Sequence, residues 1–472
     1  MQKITPLMSP SAGPLDPFSH AVSPVELLAA GAGACARAVH AGRISALELC
    51  DAAIARIEEL DGAINAVVVR DFARARVQAR AVDAAQARGE RLALMGVPMT
   101  VKESFNIAGL PTSWGLPPFR EFRPEEDAVV VQRLKRAGAV ILGKTNIAAG
   151  LADWQCANPL YGRTVNPLAA QRTPGGSSGG GAAALAAGMV ALEFGSDLFG
   201  SVRVPAHFCG LFAHKPSVGV LPTRGHDFPG TQQEPGDKPA VIGPLARFAD
   251  DLDRVLDAVA GPDQPDAAAY RLSLPAPRHT ALRDWRVLVV AEHPLAACAS
   301  DMRAALEGVA ERLSRAGATV ARTSPLLPDL EDVCNTYTTL VTTLLGAFEP
   351  GGKTTLTAHD WVRLIVKRDA VRVQCRALFE QFDALVCPPF GCVAFAHDAE
   401  PDFDRRTLVI DARATPYGAQ GAWSTLASLA GLPATVAPVA RDADGLPLGV
   451  QIIGPYLEDR STIALARLVA AS

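Results

Sequence analysis

The stretch "RTPGGSSGGGAAALAAG", residues 172–188, sets five glycines and two serines directly before a run of alanines. Glycines let a backbone turn and approach its neighbours closely, and alanines favour helix. The chain must turn here and pass at once into "AAALAAGMVAL", a helix apolar enough to require burial. A flexible linker would instead run on into polar residues. A phosphate-binding loop needs a Lys-Ser/Thr pair at the helix start, and that place falls on Gly181 and the alanines. Gly175-Gly176-Ser177-Ser178-Gly179 matches the G-x-S-x-G nucleophile elbow, but that motif follows a strand. Pro167 and Pro174 in "NPLAAQRTP" argue against a central strand there, although His207, His214 and His226 lie downstream as candidate bases.

Helical and strand patterns alternate around this stretch. Ser23-Pro24-Val25-Glu26 and Ser45-Ala46-Leu47-Glu48 are capping boxes, and Leu47, Cys50, Ile54 and Ile57 follow the second at helical spacing. A third helix is expected over 71–88. "LMGVPMTVKES" reads as a buried strand ending at Lys102, and Asp127 is placed to cap the helix "AVVVQRLKRAGA" before the strand "VILGKT" at 140–145. "WRVLVV" (285–290), "ALVCPP" (384–389) and "PLGVQIIGP" (447–455) read as further strands, with helices near 300–315, 356–380 and 458–470. Such alternation builds α/β sheets. Two loose stretches, 223–240 and 393–421, are candidate loops at a site mouth.

Composition narrows the function classes. With 49% hydrophobic and 20% charged residues over 472 positions, the chain is a compact globule. A net charge of -4 and the lack of any Lys/Arg-rich run argue against a nucleic-acid partner. The N-terminal residues 1–22 read as a loose tail without the apolar segment of a signal peptide. No apolar stretch reaches the roughly 18–20 residues that span a bilayer, so a cytoplasmic protein without membrane contact is expected. The nine cysteines are scattered, none spaced C-x-x-C, and read as reduced core residues. Cys387 and Cys392 have no His or Cys cluster beside them, so neither a metal nor a cofactor is expected.

A second serine stands downstream in "GSDLFGSVRVPAHFCG", where Ser201 follows a tight glycine-containing turn. A serine hydroxyl is a poor nucleophile until something takes its proton, and a lysine does so only when burial keeps it neutral. Lys102, at the end of the apolar run "GVPMTV", is placed for such burial.

This combination resembles the amidase signature family. "GVPMTVKES", "AGAVILGKTN", "NPLYGRTVNPLAAQRTPGGSSGGGAAALAAG", "GSDLFGSVRVPAHFCGLFAHKP" and "GLPLGVQIIGPYLEDRSTIALARLV" stand in that family's order. The resemblance implies an α/β fold over 23–472: one domain with a mixed, twisted sheet covered by helices on both faces. It puts the variable, substrate-facing segments at 223–240 and 265–420. It also implies a nucleophile at Ser201, a bridging serine at Ser177 after a cis Gly176–Ser177 bond, and a general base at Lys102. In this reading the glycines permit the turn that aims Ser177. The backbone N–H groups of Leu198, Phe199, Gly200 and Ser201 match the family's oxyanion hole, with Ser178, Asp197 and Arg203 as supporting residues. Phe199 departs from the family's Gly-Gly-Ser; it is strained if its φ is positive, and otherwise walls the acyl pocket.

The expected activity is hydrolysis of small, partly apolar aryl or alkyl amides through an acyl-enzyme. Carbamates and esters offer the same acyl carbon, so a urethanase or esterase is the near alternative. A glutamine amidotransferase A-type subunit of a tRNA-dependent complex is the more remote one. The expected partner is a small amide or carbamate substrate, and a homodimer is left open.

Overall fold

The structure is a computed structural model that describes residues 22–231, 240–346 and 356–471. The expected N-terminal tail lies outside them except for Val22, and the 223–240 loop lies outside them between 232 and 239. An eleven-stranded mixed sheet runs through the molecule. Its order is Val67–Arg70, Val140–Thr145, Pro98–Lys102, Leu192–Asp197, Val241–Ala246, Phe212–Lys215, Ala434–Arg441, Pro447–Ile453, Ala384–Cys387, Arg286–Val289, Thr319–Ala321. Helices cover both faces, giving the α/β architecture expected. Most central strands are buried along their whole length, as strands with both faces covered must be.

Val140–Thr145, Pro98–Lys102 and Leu192–Asp197 form a parallel trio near one edge. Their carboxyl ends therefore open on one side of the sheet, where ligands of open α/β sheets bind. Lys102 ends the middle strand and Asp197 ends its neighbour. The helix Gly179–Ala186 packs across all three strands.

Both capping boxes form, with Ser23 and Ser45 each exchanging hydrogen bonds with the glutamate three residues on. Asp127 does not cap its helix. Val129–Arg136 begins at Ala128, while the Asp127 carboxylate accepts from Ala108 N–H and Lys135 Nζ. The helix after the glycines is shorter than "AAALAAGMVAL": it starts inside the glycine run at Gly179 and stops at Ala186, before Gly188 at φ +71°. The nine cysteines are free thiols, and seven are buried.

Candidate active site

Strand alternation turns the Lys102 side chain inward under the turn that precedes the helix Gly179–Ala186. Nζ donates to Ser177 Oγ at 2.6 Å and to Ser196 Oγ at 2.9 Å, with the Ser196 carbonyl at 3.4 Å. Burial drives the amine pKa down to about 7, against the opposing pull of Asp197, Cys156 and Glu193. The lysine is thus poised to lose its proton near neutrality.

The Gly176–Ser177 bond is cis, at the place the resemblance implied. Of the five glycines only Gly175, at φ +87°, occupies the left-handed region. The others serve close approach more than turning. A Cβ on Gly176 would lie 2.3 Å from the Asp153 carbonyl oxygen, one on Gly180 2.4 Å from Asn146 N, and one on Gly181 2.3 Å from Glu193 Cγ. The run lets the turn and the helix sit directly on other backbone and on a buried acid.

Ser201 lies beside this turn, its carbonyl accepting from Ser178 N–H at 3.2 Å. Ser178 Oγ bridges to the Ser196 backbone, donating to its carbonyl at 3.3 Å. Ser201 is 7% exposed, against 0% for Lys102 and 1% for Ser177, so it is the member of the three that solvent reaches most. The structure brings Lys102 and Ser177 into direct contact. For the Ser201 hydroxyl no hydrogen bond is present among the described residues.

The turn 198–203 is organised around Asp197. Its carboxylate accepts from Gly200 N–H at 2.9 Å, Val202 N–H at 3.1 Å and the Arg203 guanidinium at 2.7 and 3.0 Å. Burial opposes ionisation of Asp197, but Arg203 and these N–H groups overcome it and hold the pKa at about 2. Arg203 continues to Gln451 Oε1, the Ser424 carbonyl and Ser428 Oγ. Gly200 takes the positive φ of the turn, at +87°, and Phe199 does not, so the phenylalanine is unstrained. Its ring meets Tyr337 edge-on at 4.8 Å, and its carbonyl accepts from Trp154 Nε1 at 2.8 Å.

Sequence reasoning missed Ser196, although it stands in the same "GSDLFGS" run. It also missed Trp154, Tyr337, Ser428 and Gln451, which reach the turn from far along the chain and carry no local signal. A cavity of about 450 Å³ opens beside Asp153, lined also by Ala152, Gln155, His397, Phe403 and Arg406. Part of the loose 393–421 stretch walls this cavity, and Lys102, Ser177 and Ser201 are not among its lining residues. No helix among the described residues is long and apolar enough to cross a membrane.

Comparison with known proteins agrees with this architecture. An amidase family model matches residues 48–348 and 335–463. The A-type subunit of the glutamyl-tRNA(Gln) amidotransferase of Roseiflexus castenholzii is 32% identical over 89% of this chain and 91% of its own. Fatty-acid amide hydrolase 2-A of Danio rerio is 32% identical over 91% and 86%. Among solved structures, an inhibitor-bound complex described as vestigial and as revealing the origins of an s-triazine catabolic enzyme superposes with a TM-score of 0.78. It is 31% identical and covers 95% of this chain and 98% of that one. The chain belongs to the amidase signature family, whose members hydrolyse C–N bonds of amides.

Proposed function

We propose that this chain hydrolyses small, partly apolar amides through Lys102, Ser177 and Ser201. The observation that carries the reading is the 2.6 Å contact between a fully buried lysine amine and Ser177 Oγ. A neutral amine has two N–H groups and one lone pair. The two N–H groups suit the Ser196 hydroxyl and carbonyl, which leaves the lone pair for the Ser177 hydroxyl proton. Ser177 then takes the proton of Ser201 as the Ser201 oxygen attacks the acyl carbon. The same path returns the proton to the departing amine, which amides require because their leaving groups are poor. Water hydrolyses the acyl-enzyme.

The N–H groups of Leu198, Phe199 and Ser201 are the oxyanion donors in this reading. Gly200, grouped with them in the family pattern, has its N–H on the Asp197 carboxylate and shapes the turn instead. Phe199 forms part of the acyl pocket wall beside Tyr337. Carbamates and esters present the same acyl carbon and are the nearest further substrates. Likeness to one chain of an amidotransferase supports a second reading, a subunit that works with partner chains.

The test is turnover of anilides, primary amides, carbamates and esters by the isolated chain, beside Ser201→Ala. The expected result is anilide hydrolysis without partners, lost in the variant. Activity that appears only with added partner chains would replace this reading with the second. Full activity in Ser201→Ala would remove the nucleophile.

A further inference from the structure

The sheet face that carries Lys102 also carries a carboxyl group that the mechanism above leaves unused. Parallel pairing sets Thr100 opposite Glu193 and Val101 opposite Phe194, so alternation turns Thr100, Lys102, Glu193 and Gly195 to one face. Glu193 has no exposed surface. Its hydrogen bonds come from two hydroxyls, Thr100 Oγ1 to Oε2 at 2.5 Å and Thr145 Oγ1 to Oε1 at 2.8 Å. Among the described residues no cation forms an ion pair with it. An ionised carboxylate so placed lacks the charge partner that would offset its desolvation, and it keeps its proton instead. Gly181 is the clearance for this acid, because a Cβ there would overlap the Glu193 carboxyl.

We propose that Glu193 is a positioning residue for the general base: buried with no cation in contact, it stays protonated despite the hydrogen bonds from Thr100 and Thr145, keeps a negative charge away from Lys102 and so sets the pH at which the amine is free to accept a proton. The inference rests on Lys102 being the base.

A neutral acid with a neutral amine, and a carboxylate with an ammonium, hold the same one proton between them. Only the first arrangement leaves a lone pair for Ser177. Burial pushes the Glu193 pKa up to about 8, in keeping with the neutral acid. The other titratable groups facing Lys102 are Asp197 and Cys156. Asp197 is fixed as an anion by Arg203, and burial lifts the Cys156 thiol to about 11, so it stays uncharged. The helix Gly179–Ala186 contributes no titratable group. Lys144, on the strand beyond Lys102, is occupied by Thr112 Oγ1 and the Pro111 carbonyl. Glu193 is therefore the neighbour whose charge can change in the working pH range.

Glu193→Gln is isosteric with the neutral acid and cannot ionise. Its acid limb of kcat/KM is expected to stay within about 0.3 pH unit of wild type, because the amide carries the same zero charge beside Lys102 as the protonated acid, whereas an ionised wild-type carboxylate would leave the variant's limb lower by about half a unit or more. A second readout needs no activity. The folded chain holds a proton on Glu193 that the unfolded chain releases, so wild-type stability falls as pH rises from the ordinary carboxylate range through about 8. That component of the Tm against pH curve is expected to vanish in Glu193→Gln. A folded variant whose limb moves to lower pH by about half a unit or more, or whose Tm profile keeps that component, overturns the proposal. If Glu193→Gln does not fold, Thr145→Val carries the test. It removes a hydrogen bond that favours the carboxylate, so a Glu193 that is already neutral leaves the limb in place, and a limb moved to lower pH overturns the proposal. Lys102→Met separates the two readings: hydrolysis by this variant means the base assignment has failed, whereas an inactive Lys102→Met beside a Glu193→Gln limb moved to lower pH means only the role of Glu193 has failed.

Discussion

Arg203 grips Asp197 twice inside the protein, Nη2 to Oδ1 at 2.7 Å and Nε to Oδ2 at 3.0 Å, with both side chains closed to solvent. The same carboxylate holds Gly200 and Val202 by their N–H groups, so a buried ion pair and the turn bearing Ser201 are one unit. Asp197→Asn leaves the guanidinium buried without its counter-charge. Breaking such a pair from one side typically costs about 3–5 kcal/mol. We expect a loss of that order in denaturant unfolding, and a fall in kcat because the turn loosens. A variant of wild-type stability and kcat would refute the bracing role. The Asp197 contribution is present above the ordinary carboxylate range and is lost as pH falls through about 2, so near neutrality it is constant.

Burial drives the Lys102 amine down to about 7, and only a neutral amine can accept the proton of Ser177 in the proposed mechanism. Hydrolysis is therefore expected to fall tenfold per pH unit below about 7 and to level off above it. The pH dependence of kcat/KM checks this. A limb near the ordinary lysine range would show that the amine remains charged and is not the base. The depressed pKa also means the unfolded chain binds the extra proton, so this group's contribution to stability grows as pH rises above about 7 toward the ordinary lysine range.

The glycines separate two effects that alanine substitution usually mixes. Gly→Ala inside a helix gains about 1 kcal/mol of propensity. Gly62, in the helix Ala46–Ile64, has nothing within 4 Å of an added Cβ, so Gly62→Ala is expected to realise that gain. Gly180 is also helical, but its Cβ would lie 2.4 Å from Asn146 N and 2.6 Å from Asn146 O, backbone atoms that cannot rotate aside. Overpacking of this kind costs about 1–3 kcal/mol or more and outweighs propensity. Denaturant melts should show the two substitutions with opposite sign, and a stabilised Gly180→Ala would disprove the close-approach account.

Much of this is legible in the sequence because the signals are local. The capping boxes at Ser23 and Ser45, the strand ending at Lys102 and the motif run through Ser201 each lie within a few consecutive residues. The strand Leu192–Asp197 is not legible as one, since "LEFGSD" mixes Glu193, Gly195, Ser196 and Asp197 into a segment that tertiary structure buries completely. Propensity cannot foresee polar side chains that are satisfied by a neighbouring strand and a helix cap. The glycine run reads in sequence as freedom to turn. Except at Gly175 it is an absence of side chains where backbone, Cys156 and Glu193 press in, and contacts with such distant partners leave no periodic trace.

The Leu198 carbonyl offers the last test, because it shares a peptide plane with the Phe199 N–H. In a trans peptide the two point in opposite directions, so fixing the carbonyl aims the N–H. Tyr337 OH donates to this carbonyl at 2.8 Å and Ser428 Oγ at 3.0 Å. Tyr337→Phe removes one donor and leaves the other, so the carbonyl stays satisfied and the stability loss is expected to be about 1 kcal/mol. If the Phe199 N–H stabilises the oxyanion, kcat should drop while KM changes little. The drop should be smaller than the roughly 10²–10³-fold typical of losing an oxyanion donor outright, because Ser428 still holds the plane. Tyr337→Phe with Ser428→Ala frees the plane and should approach that loss. Ser428 also accepts from Arg203 Nη2, so Ser428→Ala alone is the needed control for loosening of the arginine. Steady-state kinetics of the three variants decide the matter: kcat values within twofold of wild type in both Tyr337→Phe and the double variant would take the Phe199 N–H out of the oxyanion hole.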